Sequence, residues 1–116
     1  MSKNYPEMAT DLNASVARLS KGIPDTMKGF AAMRSAAHAD GCLEPKTKEL
    51  IATAISVAVR CDGCIASHTK AAEKNGASRE EILETLGMAV YMGGGPSVVY
   101  AAQALDAFDQ FTEEAK

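Results

Sequence analysis

The sequence predicts an all-α fold of about six helices, and three observations carry that expectation. Apolar residues recur three and four positions apart through most of the chain. Proline and glycine fall between these periodic stretches, where helices start and stop. No segment alternates with period two for long enough to make a strand.

The first helix is expected over about 6–20, where Met8, Leu12, Val16 and Leu19 keep the helical spacing and Lys21-Gly22 ends it. The second is expected over about 24–39. Pro24 suits its first turn, because the missing N–H would have no helical partner there. Met27, Phe30, Ala31, Met33 and Ala37 are expected to face inward. Asp40-Gly41 reads as a turn. The third helix starts near Pro45 and runs to about Arg60. From Leu50 to Val59 it carries no charge, and a helix apolar nearly all round is expected to be buried on all sides. Ile51, Ile55, Val57 and Val59 would suit a strand, but the run is too long for one. The fourth helix covers about 62–75, with Gly76 as its stop. The fifth opens on Ser78-Arg79-Glu80-Glu81, a capping box in which the Ser78 hydroxyl accepts from the Glu81 N–H and the Glu81 carboxylate reaches back. Ile82, Leu83, Leu86, Ala89 and Val90 make its inner face. The sixth starts at Pro96 and carries Val98, Val99, Ala102, Leu105 and Phe108. From Thr112 the chain is polar and is expected to fray.

Residues 1–116 are read as a single domain, since no repeat, low-complexity stretch or linker divides them. The net charge of -3 is scattered in both signs, with no basic stripe to hold a phosphate backbone, so no nucleic-acid partner is expected. The N-terminal stretch has no apolar core, so no secretory signal is expected. Residues 85–105 contain no Asp, Glu, Lys or Arg and are long enough to span a bilayer. Gly93-Gly94-Gly95-Pro96 cuts the run in two, however, so it is read as two buried helices and not as a membrane span. An odd number of cysteines without a signal argues against an extracellular disulfide framework and for a cytoplasmic protein. In that compartment a closely spaced pair is more often catalytic or metal-binding than structural.

The chemistry concentrates in Cys61-Asp62-Gly63-Cys64-Ile65-Ala66-Ser67-His68. Cys61 and Cys64 are three apart, so their side chains can meet on one helical turn at a separation compatible with a disulfide. His68 lies four beyond Cys64, on the same face. A neutral imidazole there can take a thiol proton, and the thiolate is the nucleophile. His68 is one turn from Cys64 and two from Cys61, which favours Cys64 as the activated thiol. Cys61 is nearer the helix N-terminus, which favours Cys61 instead. Haem attachment is excluded, because Ile65 stands where a histidine would follow the pair. A zinc site would need a fourth ligand, for which Glu49 or His38 is available, but there is no second CxxC. Two buried cysteines beside a core histidine is the purely structural alternative.

The pattern Glu49-x11-Cys61-x2-Cys64-x3-His68 resembles the signature of alkylhydroperoxidase D-like proteins of the carboxymuconolactone decarboxylase family. Asp40-Gly41, LEPKTKELIA, GASREEILETLG and MGGGPSVVYA extend the likeness over roughly residues 23–111. The resemblance implies the AhpD-like helical fold. It also implies a thiol-dependent hydroperoxide reductase, an antioxidant oxidoreductase with no bound cofactor. In it Cys64 would be peroxidatic, Cys61 resolving, and His68 with Glu49 a proton relay. A small hydroperoxide would be the substrate and a dithiol or lipoyl-type molecule the reductant. One departure stands out: alkylhydroperoxidase D has a second histidine between the cysteines, where this chain has Gly63, so one proton donor is missing. Cys42 reads as a bystander and His38 as a surface or helix-end residue.

Spacing alone does not bring Glu49 into the site. Twelve residues of straight helix would put it about 18 Å from Cys61, so the chain must break near Arg60 and fold back. Otherwise Glu49 is a solvated charge beside Lys46 and Lys48. The resemblance also implies two alternatives, a lactone decarboxylase, against which the cysteine pair tilts, and a non-enzymatic redox sensor on the same fold. The uncharged stretches of the third, fifth and sixth helices are more than a small protomer can cover. A homo-oligomer is therefore expected, and the resemblance points to a hexamer built as a trimer of dimers.

Overall fold

The structure, a computed structural model, describes residues 3–116 and contains six helices: α1 (Tyr5–Gly22), α2 (Pro24–His38), α3 (Pro45–Ala58), α4 (Asp62–Lys74), α5 (Arg79–Gly93) and α6 (Gly95–Glu114). Among the described residues there is no strand. α3 lies at the centre and packs on α4, α5 and α6, while α1 is laid across α4 and α6. The core between them is largely alanine: Ala66, Ala72, Ala89, Ala101, Ala104 and Ala107 are buried, with Ile65, Ile82, Val57 and Phe108 filling the wider gaps. Small side chains let the axes approach closely, so a few large residues suffice to close the interior.

Helix ends follow local chemistry. Asn4 caps α1 by accepting from the Glu7 N–H. The Ser78–Glu81 capping box forms as expected, with bonds of 2.8 and 3.1 Å in the two directions; such a cap stabilises a helix by about 1 kcal/mol. α4 ends in a Schellman turn, with Gly76 at φ 86° and the Ala77 N–H on the Ala72 carbonyl. α3 ends in the same way, but with Arg60 in the left-handed position at φ 60°. The Arg60 N–H bonds to Val57 O and the Cys61 N–H to Ser56 O. A residue with a Cβ is disfavoured there by about 1–2 kcal/mol. This turn reverses the chain and lays α4 antiparallel on α3.

Several expected burials do not occur within the protomer. α2 has no buried residue at all, and Phe30 and Met33, expected inside, are exposed. α3 is not enclosed on all sides: Glu49, Thr53, Ser56 and Val57 face the core, whereas Ile51, Ile55 and the C-cap residue Val59 face out. Leu12, Val16 and Leu19 on α1, Leu83 on α5, and Val98 and Val99 on α6 are also exposed. Periodicity identifies an apolar face but not what covers it, and here one chain supplies too few helices to cover these. The polar tail does not fray at Thr112. α6 continues to Glu114, anchored by the buried Phe111. Residues 85–105 divide at Gly94, which takes φ 70°. Among the described residues no helix is long and apolar enough to cross a membrane.

Candidate active site

The reversal at Arg60 places the cysteine pair. Cys61 is the N-cap of α4, and its Sγ accepts the Cys64 backbone N–H at 3.1 Å. The two cysteines are joined as a disulfide, with Cα atoms 5.1 Å apart. Cys42 is a free, exposed thiol in the link between α2 and α3. A sulfur at a helix N-cap faces unpaired N–H groups and the positive end of the helix dipole, so a thiolate is favoured there once the pair is reduced. Both cysteines are half-buried.

The same reversal brings Glu49 to the site. It is not the solvated charge that spacing alone would allow. Glu49 is 5% exposed, in the seam between α3 and α4. Its Oε1 is 2.7 Å from His68 Nδ1. A carboxylate can only accept, so His68 donates through Nδ1 and its Nε2 is left to take a proton. The other oxygen, Oε2, is 3.0 Å from Nε2 of His38. From the sequence His38 reads as a helix-end or surface residue. It does end α2, but it also completes a His38–Glu49–His68 chain. The one sequence signal for it was position, since an imidazole at a helix C-terminus seven residues before Pro45 sits where α2 must meet α3. Lys48 secures that junction by donating to Ala37 O at 3.0 Å and Ala39 O at 2.7 Å.

His38, Glu49 and His68 line a cleft of about 560 Å³, and neither Cys61 nor Cys64 is part of its lining. Phe30, Met33 and Ala37 give it an apolar wall, Arg34 a cation, and His38, Glu49, Ser67 and His68 a polar floor. The missing histidine between the cysteines has a steric counterpart. A Cβ on Gly63 would stand 2.6 Å from Cδ2 of Leu12, because α1 crosses directly over that position. Among the described residues no group of three or more His, Cys, Asp and Glu has metal-holding geometry. The Glu49 oxygens are taken by imidazoles and the two sulfurs by each other.

Comparison with known proteins places this architecture. Residues 24–107 match the model of the carboxymuconolactone decarboxylase family. The chain is similar to an apo carboxymuconolactone decarboxylase family protein from Legionella pneumophila, whose crystal structure superposes with a TM-score of 0.91 at 50% identity, covering 96% of this chain and 99% of that one. It is 38% identical over 109 residues to an uncharacterised protein of Cupriavidus necator, covering 94% of this chain and 96% of the relative. It is 33% identical over 108 residues to an uncharacterised protein of Haemophilus influenzae, covering 93% and 96%.

Proposed function

The chain belongs to the carboxymuconolactone decarboxylase family, and we propose that within it this protein is a thiol-dependent hydroperoxide reductase of the alkylhydroperoxidase D-like kind. One observation carries the reading. A cysteine pair opens α4, and one turn further along, His68 is held on a buried carboxylate with its second nitrogen free.

In the reduced protein the Cys64 thiol passes its proton to His68 Nε2, and the imidazolium is stabilised through Nδ1–H by Glu49. The thiolate attacks the terminal oxygen of a hydroperoxide ROOH. An S–O bond forms as the O–O bond breaks, and the electron pair leaves on RO⁻, which takes the proton from His68 and departs as ROH. Sulfur is oxidised to the sulfenic acid and the peroxide is reduced to the alcohol. Cys61, whose thiolate the helix N-terminus favours, then attacks that sulfur. The S–S bond forms, the S–O bond breaks, and hydroxide leaves as water with the proton Cys61 gave up. A dithiol of the lipoyl type returns the pair to two thiols by exchange and is itself oxidised to a disulfide. This chemistry needs a reducing compartment, consistent with the cytoplasm.

The test is turnover of a small hydroperoxide with excess dithiol, read beside intact mass after one equivalent of peroxide. Cys61→Ser is expected to gain one oxygen on Cys64, and Cys64→Ser to lose turnover. Turnover retained in Cys64→Ser, with the sulfenic acid on Cys61, reverses the roles. Consumption of a lactone by the reduced protein, with no peroxide turnover, replaces the reading with a decarboxylase.

The same reading includes a homo-oligomer, built as a trimer of dimers. Ile51 and Ile55 on α3, Val59 at its C-cap, Tyr91 and Met92 on α5, and Val98 on α6 are left exposed by the protomer. Apolar surface on this scale marks association. Light scattering at micromolar concentration is expected to give about six times the protomer mass. A mass near the 12.2 kDa protomer refutes association, and a dimer mass refutes the hexamer alone.

A further inference from the structure

The hydrogen bonds of His38 do not balance for a neutral imidazole facing an ionised carboxylate. Its Nδ1 is 2.9 Å from the Arg34 carbonyl, which can only accept, so Nδ1 carries a hydrogen. Its Nε2 is 3.0 Å from Glu49 Oε2. With Nδ1 already protonated, a bare Nε2 would set a lone pair against a carboxylate lone pair. A bond at that distance therefore needs one more proton, held by Nε2 or by Oε2. Two features favour its residence on the imidazole. His38 is the last residue of α2, where the helix dipole favours a cation, and its partner is a carboxylate.

We propose that His38 is a positioning residue of the thiol site. Through the proton it holds against Glu49 it sets the charge that Glu49 presents to His68, and so the pH at which Cys64 becomes reactive. The inference rests on the thiol-peroxidase reading for its purpose, but on the hydrogen bonds for its existence. It also gives the chain a second histidine at the site, reached from α2 and not from between the cysteines, where Gly63 stands. The charged and titratable groups around His38 are Arg34 on its own helix, Lys48 and Glu49 on α3, and His68 on α4.

The test is the pH dependence of Cys64 alkylation by iodoacetamide in the reduced protein on a Cys42→Ser background. His38→Ala and His38→Gln are compared with the parent. Glutamine can donate one hydrogen bond to Glu49 but holds no labile proton. Removing a positive charge raises the proton affinity of every neighbouring group. Both variants are therefore expected to move the alkylation profile to higher pH, by about half to one unit. His38→Gln keeping the parent profile while His38→Ala shifts would reduce His38 to a neutral hydrogen-bond donor and overturn the proposal, as would an unmoved profile in both. Alkylation needs no peroxide, so the two readings fail separately. A shifted profile without peroxide turnover sinks the peroxidase and keeps the role of His38. Turnover with unmoved profiles does the reverse.

Discussion

Glutamine at position 49 would separate charge from geometry at this site. Its carbonyl oxygen can accept from His68 Nδ1, and its NH₂ can donate to Nε2 of a neutral His38, whose Nδ1–H stays on Arg34 O. The bonds now at 2.7, 3.0 and 2.9 Å all persist; the negative charge beside His68 goes, together with the extra proton that His38 holds against it. Volume is conserved and no buried donor or acceptor is orphaned, so stability is expected to change by less than about 1 kcal/mol. The catalytic loss follows from the charge. A carboxylate and an imidazolium about 4 Å apart interact by about 4 kcal/mol at an effective dielectric of 20. The His68 side chain is 31% exposed, which screens that figure. A loss of about 1–2 kcal/mol, roughly tenfold in turnover, is expected. The assay is steady-state hydroperoxide reduction with excess dithiol, run beside a thermal melt of the same sample. Glu49→Ala is the contrast: it strands two imidazoles and opens a hole, at a cost of about 2–4 kcal/mol. Wild-type turnover in Glu49→Gln would refute the electrostatic role. A melt as early as that of Glu49→Ala would refute the hydrogen-bond accounting.

Other expectations are read in the same way. His68→Ala is expected to slow peroxide reduction at neutral pH further than Glu49→Gln does, and to move Cys64 alkylation toward the range of a free thiol, near pH ~8.5; an unchanged pH–rate profile contradicts this. Mild oxidation is expected to bridge only Cys61 and Cys64 and leave Cys42 alkylatable, with peptide mapping as the check. Gly93→Ala would set a Cβ 2.9 Å from Ser97 Cβ and closer still to its hydroxyl, at a buried residue. A loss of about 1–3 kcal/mol is expected by denaturant titration, against none for Gly87→Ala, where a Cβ meets nothing. Tyr5 is buried beside Asp62 and Asp106, and desolvation first, then those carboxylates, push its hydroxyl up to about 12. Its neutral form thus contributes stability that is complete below pH ~10 and lost as pH rises toward 12. Tyr5→Phe is expected to flatten that limb of the stability curve.

Much of the fold was legible in the residues. Helix borders are set by caps and stops that act over three or four positions, so Pro24, Pro45, Gly76 and the Ser78–Glu81 box could be read directly. The cysteine pair and His68 were legible for the same reason, being neighbours on one helix. Glu49 was legible only through the family signature and His38 not as part of the site, because each reaches the site through a reversal whose signal is weak. Arginine seldom takes the left-handed position, so nothing at Arg60 advertises a Schellman turn; only the need to return Glu49 to the cysteines pointed to a break there. The outer faces were misassigned for a different reason. Phe30 and Met33 keep the period of a buried stripe, and period cannot distinguish the interior of one chain from a surface between chains.

The attachment of α2 has a consequence for motion. With no buried residue of its own, the helix is held at its C-terminal end by Lys48 on two carbonyls and by the His38–Glu49 bond. Segments with few buried apolar contacts open well below the free energy of global unfolding. In an isolated protomer, amide hydrogens of 24–38 should therefore exchange by local opening, while those of α3 and α6 wait for the whole fold. Each such opening would carry His38 away and uncover the carboxylate, yet leave the cysteine pair in place on α4. If neighbouring subunits seat on Phe30 and Met33, exchange in this segment becomes a function of protein concentration. Dilution alone would then switch the electrostatics around the thiols without touching them.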